Sequence, residues 1–516
     1  MSVELNMYHA RYRKYRLAEI ARQRRELNRE HNSLVPISVL PDDILLRIFL
    51  TSCEKEVKFD TIFMVTMKST SQVCSYWRNL TLGSSLHWSH ISNHKGGMLW
   101  LEELLRRSKS SILNVVIKFT SREDLEMAST ILQHSSRFRE LEISMDVADK
   151  AFEDQLLCIL EKPMHYLRTL TVEKRAGGSN QTLVLTDVPS LNCVHLINMP
   201  ISVNTSTGLS TVTELELSCD KASERFTHAL LYVIRNMHSL KSLITNSGTA
   251  PPQMITASIP FTGNVHLPYL ERIELSGTLY HCAHIALSIE IPTSCICSII
   301  CRAINSSQRS NFPLMSQAIT KILEARAPEA LYIDSFDYGF YVYTMDQATN
   351  LDDNSLELVF KRDTKFLKFE DVIAPFLTPF GNLFLRSVKY LQLGIQVSKH
   401  KRDDEFLHNL LCSCANVQTL ELIDDESIKN ILRLIQTHEC VGNKILPALQ
   451  ALVTRENKLL DSESEEIEST IVSLIKWRCD IGLPLESIQF SRHESRNQLL
   501  KDQLTRMGSV HVIYNG

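Results

Sequence analysis

A short apolar pattern recurs along this chain and constrains its fold more than any other feature. Leucine or an apolar equivalent fills the first, fourth and sixth places of Phe138-Arg-Glu-Leu141-Glu-Ile143, Leu167-Arg-Thr-Leu170-Thr-Val172, Leu191-Asn-Cys-Val194-His-Leu196 and Val212-Thr-Glu-Leu215-Glu-Leu217. The pattern continues, in places shortened, at Leu240 to Leu243, Leu270 to Leu275, Ala330 to Ile333, Val388 to Leu393, Val417 to Leu422, Leu449 to Leu452 and Leu485 to Phe490. Leu141 and Leu170 are 29 positions apart, Leu215 and Leu243 28, Leu243 and Ile273 30, and Leu391 and Leu420 29. The wider steps, 58 from Ile273 to Leu331 and 60 from Leu331 to Leu391, each match two units. Irregular strands are therefore expected at Ile296 to Ile300 and Leu356 to Phe360.

Helical patterns lie between the strands, at Asp154 to Leu160, Thr227 to Met237, Glu405 to Cys412, Ser427 to Gln436 and Ile467 to Trp477. Val188-Pro189-Ser190-Leu191, Leu267-Pro268-Tyr269-Leu270 and Leu446-Pro447-Ala448-Leu449 place a proline turn ahead of a strand, which stops whatever precedes it. Each strand-and-helix unit has an apolar edge that it cannot bury alone. Stacked neighbours would share one core behind a parallel sheet.

This recurrence resembles the leucine-rich repeat family in a degenerate form, over roughly residues 112 to 516. The resemblance implies an α/β solenoid with a curved parallel sheet. In such a stack the residue between the last two apolar places of each unit faces outward. Those residues are Glu142, Thr171, His195, Glu216, Ile244, Glu274, Tyr332, Gln392, Glu421, Val453 and Gln489, with Glu140, Glu214 and Arg272 two places earlier. Acid outweighs base, so this face is expected to bind a basic or polar segment of a target protein. Glu142, Glu214, Glu216, Glu274, Tyr332 and Glu421 are the candidate target-binding residues, Tyr332 as an aromatic anchor. The plainer alternative is a solvated strand face.

The stretch from Leu40 to Ile91 reads as a second device. Pro41 suits a first helical position, and Asp42 and Asp43 follow in the positive first turn. Ile44, Leu45, Ile48 and Phe49 gather on one stripe, and Val73, Trp77 and Leu80 form another. Leu86, Trp88 and Ile91 follow a turn at Gly83-Ser84-Ser85. These are more apolar anchors than a small three-helix unit can hide.

In order and approximate spacing, Leu40-Pro41-Asp42-Asp43-Ile44, Ile48-Phe49, Val73-Cys74, Trp77-Arg78 and Leu86-His87-Trp88 resemble the F-box motif. The resemblance implies a three-helix module that docks on the Skp-type adaptor of a cullin-RING ubiquitin ligase. Leu40, Pro41, Ile44, Ile48, Phe49, Val73 and Trp77 would be its adaptor contacts. The 24 positions from Phe49 to Val73 exceed the family's usual linker, and the charged Glu54-Lys55-Glu56-Val57-Lys58 reads as a looped insertion.

A net charge of −4 and a pI near 6.5 give no global drive towards nucleic acid or acidic lipid. The 13 cysteines are scattered and no secretory apolar segment opens the chain, so a reducing cytoplasmic or nuclear setting without disulfides is expected. The most apolar window, His284 to Ile304, contains Glu290, Pro292 and Arg302 and does not read as a membrane span. His281, Cys282, His284, Cys295, Cys297 and Cys301 fit no common zinc spacing; Cys295, Cys297 and Cys301 share one strand face with Ile299. No phosphate loop, nucleophile elbow or H-E-x-x-H is present, so neither an enzyme nor a cofactor is expected. Residues 4 to 33 form an arginine-rich helical segment, read as a solvated helix, with a coiled-coil contact or a targeting signal as alternatives.

The expected organisation is a basic helical segment at 1–35, an F-box at 36–95 and a leucine-rich-repeat-like domain at 96–516. Its expected role is the substrate-recognition subunit of a Skp/cullin/F-box ubiquitin ligase. The alternative is an F-box scaffold that does not deliver targets for degradation.

Overall fold

A computed structural model describes residues 2–54, 59–93, 96–121, 124–146, 149–175, 183–185, 187–199, 201–202, 209–220, 224–248, 262–304, 310–336, 339–345, 356–362, 385–394, 401–423, 425–439, 445–455, 461–490 and 510–514. Contacts divide the chain into two compact units, residues 1–177 with 186–191, and residues 178–185 with 192–516.

The first unit opens with α1 (Ser2–Ser33), free of glycine and proline and laced by pairs such as Glu19 with Arg22 at 2.9 Å. Tyr8, Tyr12, Tyr15, Leu17, Ile20 and Leu27 on it are all at least half exposed. Then come α2 (Asp42–Glu54), α3 (Phe59–Val73) and α4 (Ser75–Gly83). Pro41 precedes α2 rather than opening it: its carbonyl accepts the N–H of Leu45 at 3.0 Å. The stripe expected from Val73 through Leu80 is split, because Val73 ends α3. Cys74 caps α4, its sulfur accepting the N–H of Trp77 at 3.5 Å. Glu54 belongs to α2, and the rest of the expected insertion, residues 55–58, lies outside the described residues.

After a 3-10 turn at Ser85–Trp88 the chain alternates: β1 (His90–Ser92), α5 (Gly97–Ser108), β2 (Leu113–Phe119), α6 (Asp124–Leu132), β3 (Phe138–Met145), α7 (Lys150–Leu160) and β4 (Thr169–Lys174). The four strands pair in parallel and in chain order, aligning Ile91, Val115, Leu141 and Leu170. Phe119 and Phe152 stack 4.4 Å apart in the core, and a buried ion pair joins Lys174 to Glu153. The expected junction at 95/96 falls inside this unit. Across it Trp88 meets Trp100 edge-on at 6.2 Å and carries the Arg107 guanidinium 4.2 Å over its ring.

The second unit contains β5 (Leu183–Val184), β6 (Cys193–Ile197), β7 (Ile201–Ser202), β8 (Glu214–Cys219), α8 (Glu224–Ile234), β9 (Ser242–Ser247), β10 (Val265–His266) and β11 (Arg272–Gly277). It continues with α9 (Leu279–Ser288), β12 (Ile289–Glu290), β13 (Ile296–Ile304), α10 (Phe312–Arg326), β14 (Ala330–Phe336), β15 (Gly339–Met345) and β16 (Leu356–Arg362). Last come β17 (Tyr390–Gly394), α11 (Lys401–Ser413), β18 (Thr419–Ile423), α12 (Asp425–Glu439), β19 (Ala451–Arg455), α13 (Asp461–Asp480), β20 (Ser487–Phe490) and β21 (His511–Tyr514).

The spacing of the sequence motif becomes sheet register. Val194, Leu215, Leu243, Ile273 and Cys297 align on five neighbouring parallel strands, and Leu331, Leu391, Leu420, Leu452 and Ile488 on five more. The proline turns form as hydrogen-bonded turns: Leu191 to Val188, Leu270 to Leu267 and Leu449 to Leu446, at 3.0 to 3.2 Å. The same turn occurs without proline at Met164–Leu167, Leu209–Val212, Met237–Leu240, Leu385–Val388 and Cys414–Val417, with both terminal side chains buried each time. At Asn192, Thr213, Lys241, Glu329, Lys389, Gln418 and Gln450 one carbonyl then accepts two N–H groups of the next strand's start; Lys241, for example, serves both Glu271 and Arg272.

The centre departs from regular stacking. β14 pairs directly with β17, placing Leu331 opposite Leu391, so the 60-residue step inserts no strand between them. The chain instead doubles back. β15 runs antiparallel to both β14 and β16, and β16 returns to pair in parallel with β13, Cys297 opposite Leu356. Only two positions separate Phe336 from Gly339, enough for a hairpin but not for the crossover that a parallel step requires. Among the described residues β15 is the sole antiparallel strand of this sheet.

Candidate protein-docking surfaces

The three short helices α2, α3 and α4 have too little interior for their apolar residues, and α2 divides them between two faces. Leu45 and Phe49 are buried at 0% and 3% exposure, whereas Ile44 and Ile48 stand 39% and 40% exposed one helical step away. Phe49 meets Trp77 at 4.5 Å and His87 at 5.9 Å. Phe49 is therefore a core residue, which corrects its expected place among the surface contacts: a side chain packed on both an indole and an imidazole has no face left for a partner.

Ile44 and Ile48 line a shallow groove with Arg47, Thr51 and Ser52. Pro41 and Val73 are exposed, and Leu40 and Trp77 half-buried. The Tyr76 hydroxyl donates to the Asp42 carboxylate, tying α4 to the start of α2. Burial holds the His87 imidazole down at about 4, so it is neutral near pH 7.

The second surface is a row of residues across the main sheet of the second unit. His195, Glu216, Ile244, Glu274, Ser298 and Glu357 are successive register partners, and Tyr343, Tyr332, Gln392, Glu421, Val453, Gln489 and Ile513 continue the row. Glu216, Glu274, Tyr332 and Glu421 of the sequence-derived set fall on this row, and Glu214 lies two residues back on β8. Glu142 is on β3 of the first unit, exposed and opposite Thr171. Ser298, Glu357, Tyr343 and Ile513 were not in the sequence-derived set. The strict alternation of Tyr341-Val342-Tyr343-Thr344 was the signal available for the tyrosines.

Most of these carboxylates have partners within the chain. His195 Nδ1 lies 2.8 Å from Glu216, Ser298 donates to Glu357 at 2.6 Å, and Arg272 pairs with Glu274. Two residues are more buried than an outward strand position implies, Tyr332 at 7% exposure and Glu421 at 1%. Glu421 accepts from the Tyr390 hydroxyl and pairs with Arg455. Burial raises its carboxyl above the ordinary range while Arg455 opposes the rise. Burial, with Glu357, Tyr341 and Asp334 nearby, pushes the Tyr343 hydroxyl up to about 12. Tyr332 and Glu421 thus form a floor rather than protruding anchors.

The cysteine-rich stretch is apolar packing: Cys282, Cys295, Cys297 and Cys301 are buried, and desolvation raises the last three thiols. No helix among the described residues is long and apolar enough to cross a membrane. No protein-family model matches this chain, and a search of curated proteins returns no match.

Proposed function

We propose that this protein is the substrate-recognition subunit of a Skp/cullin/F-box-type ubiquitin ligase. The α2–α4 module serves as the F-box, and the strand-and-helix array is a degenerate leucine-rich-repeat solenoid that holds the target. The observation that carries this reading is the doubled apolar character of α2, with Leu45 and Phe49 in the core and Ile44 and Ile48 in solvent beside Pro41. Solvent-facing isoleucines at helical spacing cost free energy unless a partner covers them, and Val65, Val73 and Leu86 elsewhere in the same segment are exposed as well. The chain itself performs no chemistry in this reading. It raises the effective concentration of a target lysine near the charged carrier.

The test is co-purification with a Skp-type adaptor. The natural chain retains the adaptor, and Ile44→Asp with Ile48→Asp releases it while the melting temperature stays within a few degrees. An adaptor that binds neither protein removes the F-box reading. Adaptor binding without ubiquitin-dependent turnover of any bound partner points to the scaffold role.

A further inference from the structure

The middle of the outward row differs chemically from its flanks. Because β15 runs against its neighbours, it brings Tyr341 and Tyr343 beside Tyr332 on β14. Tyr343 and Tyr390 pack against Tyr332, the Tyr332 and Tyr390 rings are 5.5 Å apart, and Tyr341 and Tyr343 stack at 5.7 Å. Carboxylates surround these rings. Glu357 is the register partner of Tyr343, Asp334 that of Tyr341, and Glu421 lies beyond Gln392 from Tyr332. Ser298 and Tyr390 donate to Glu357 and Glu421, which fixes the orientation of both carboxylates.

Charge complementarity selects the occupant. Along the row and the positions two residues to either side, the second unit carries Glu214, Glu216, Glu274, Glu357, Glu421 and Asp334 against Arg272 and Arg455. An acidic segment or a phosphate backbone is repelled there, and an apolar one would strip water from Glu357 without replacing it. A cation meets both the negative ring faces and the carboxylates.

We propose that this tyrosine and carboxylate patch docks an extended arginine- or lysine-bearing segment of a partner protein, its cationic head lying over Tyr341 and Tyr343 and paired with Glu357. This identifies the class of segment that the array holds, and so rests on the target-binding half of the proposed function but not on the adaptor half.

The experiment measures fluorescence anisotropy of labelled peptides with the full-length chain. One peptide alternates arginine and serine, one lysine and serine, one glutamate and serine. The two cationic peptides bind, increasingly weakly as salt is raised, and the glutamate peptide does not. Tyr341→Leu with Tyr343→Leu, which keeps apolar bulk but removes the ring faces, and separately Glu357→Gln, each weaken the arginine peptide by about tenfold or more. If the tyrosine pair proves necessary for folding, Glu357→Gln alone decides. Ile44→Asp with Ile48→Asp leaves peptide binding unchanged, so failure of the adaptor reading and failure of this one are separately visible. Equal binding of arginine and glutamate peptides, no binding of either cationic peptide, or unchanged affinity in the folded patch variants overturns the proposal.

Discussion

Phe49 on α2 and Trp77 on α4 face each other at 4.5 Å with their rings tilted by 52°, closing the small core of the helical module. Neighbours in sequence therefore have opposite tasks: Phe49 holds α2 in place, and Ile48 is presented to solvent.

Phe49→Ala should destabilise the chain by about 3–5 kcal/mol, the usual cost of emptying a buried aromatic site. Ile48→Ala, at a half-exposed position, should cost less than about 1 kcal/mol. Urea unfolding of the two variants separates packing from presentation, and equal losses would contradict the division of faces.

Acid should weaken the fold through its buried histidines. His281 lies between the hydroxyls of Thr227 and Thr245, at 2.9 and 3.2 Å, and burial holds it at about 3; His87 is held at about 4. Both lie below the ordinary histidine value near 6.5, so the unfolded chain takes up protons before the folded one does. Stability is full above pH 6.5 and falls as pH drops towards 4 and then 3. Neither His87 ring nitrogen has a hydrogen-bond partner among the described residues, so His87→Phe should flatten the upper part of this loss. Melting temperatures at pH 7, 6 and 5 provide the check.

The Lys174–Glu153 pair, almost wholly buried, predicts an asymmetry. Lys174→Met removes the ammonium from the Glu153 carboxylate and should cost about 3–5 kcal/mol. Combining it with Glu153→Leu should restore most of that loss, because an apolar pair needs no desolvation of charge. Calorimetry of both variants tests this, and a double variant as unstable as the single one would contradict it.

Alkylation should sort the cysteines. Cys158 and Cys412 are exposed, whereas burial drives Cys295 up to about 11 and Cys297 and Cys414 up to about 12. Since the thiolate is the nucleophile, iodoacetamide at pH 8 should modify Cys158 and Cys412 before Cys295, Cys297 and Cys414, and mass spectrometry after brief exposure would show it.

Strand placement was legible because register and sequence spacing are the same quantity in a stack of parallel strands: Leu391, Leu420 and Leu452 align as their spacing implies. The proline turns were legible because proline fixes one backbone angle before the strand begins. The face of α2 was not, since Ile44, Leu45, Ile48 and Phe49 satisfy two adjacent helical stripes equally well, and only the position of Trp77 chooses between them. Nor was the helix break at Cys74, a residue that caps through sulfur where serine or aspartate normally does so. The central meander escaped for another reason. A step of 60 residues is compatible both with two stacked units and with one unit plus a returning hairpin, because periodicity records distance along the chain and not the order of strands in the sheet.

That returning hairpin also limits how such a chain can change length. Outside it, among the described residues, each strand of the main sheet pairs with the next one that the chain contributes to that sheet, β7 pairing elsewhere with β5 and β10 with β12, so copying or losing one unit leaves the flanking pairs able to meet again. Between Ile296 and Gly394 the order is interleaved: β16 closes onto β13 across what the chain makes in between, while β14 reaches past it to β17. A duplication there has no vacant edge to occupy, and a deletion unpairs strands on both sides. Gene-level gain and loss of repeats should thus be confined to the flanks, leaving the centre as a fixed clasp around which the array lengthens or shortens.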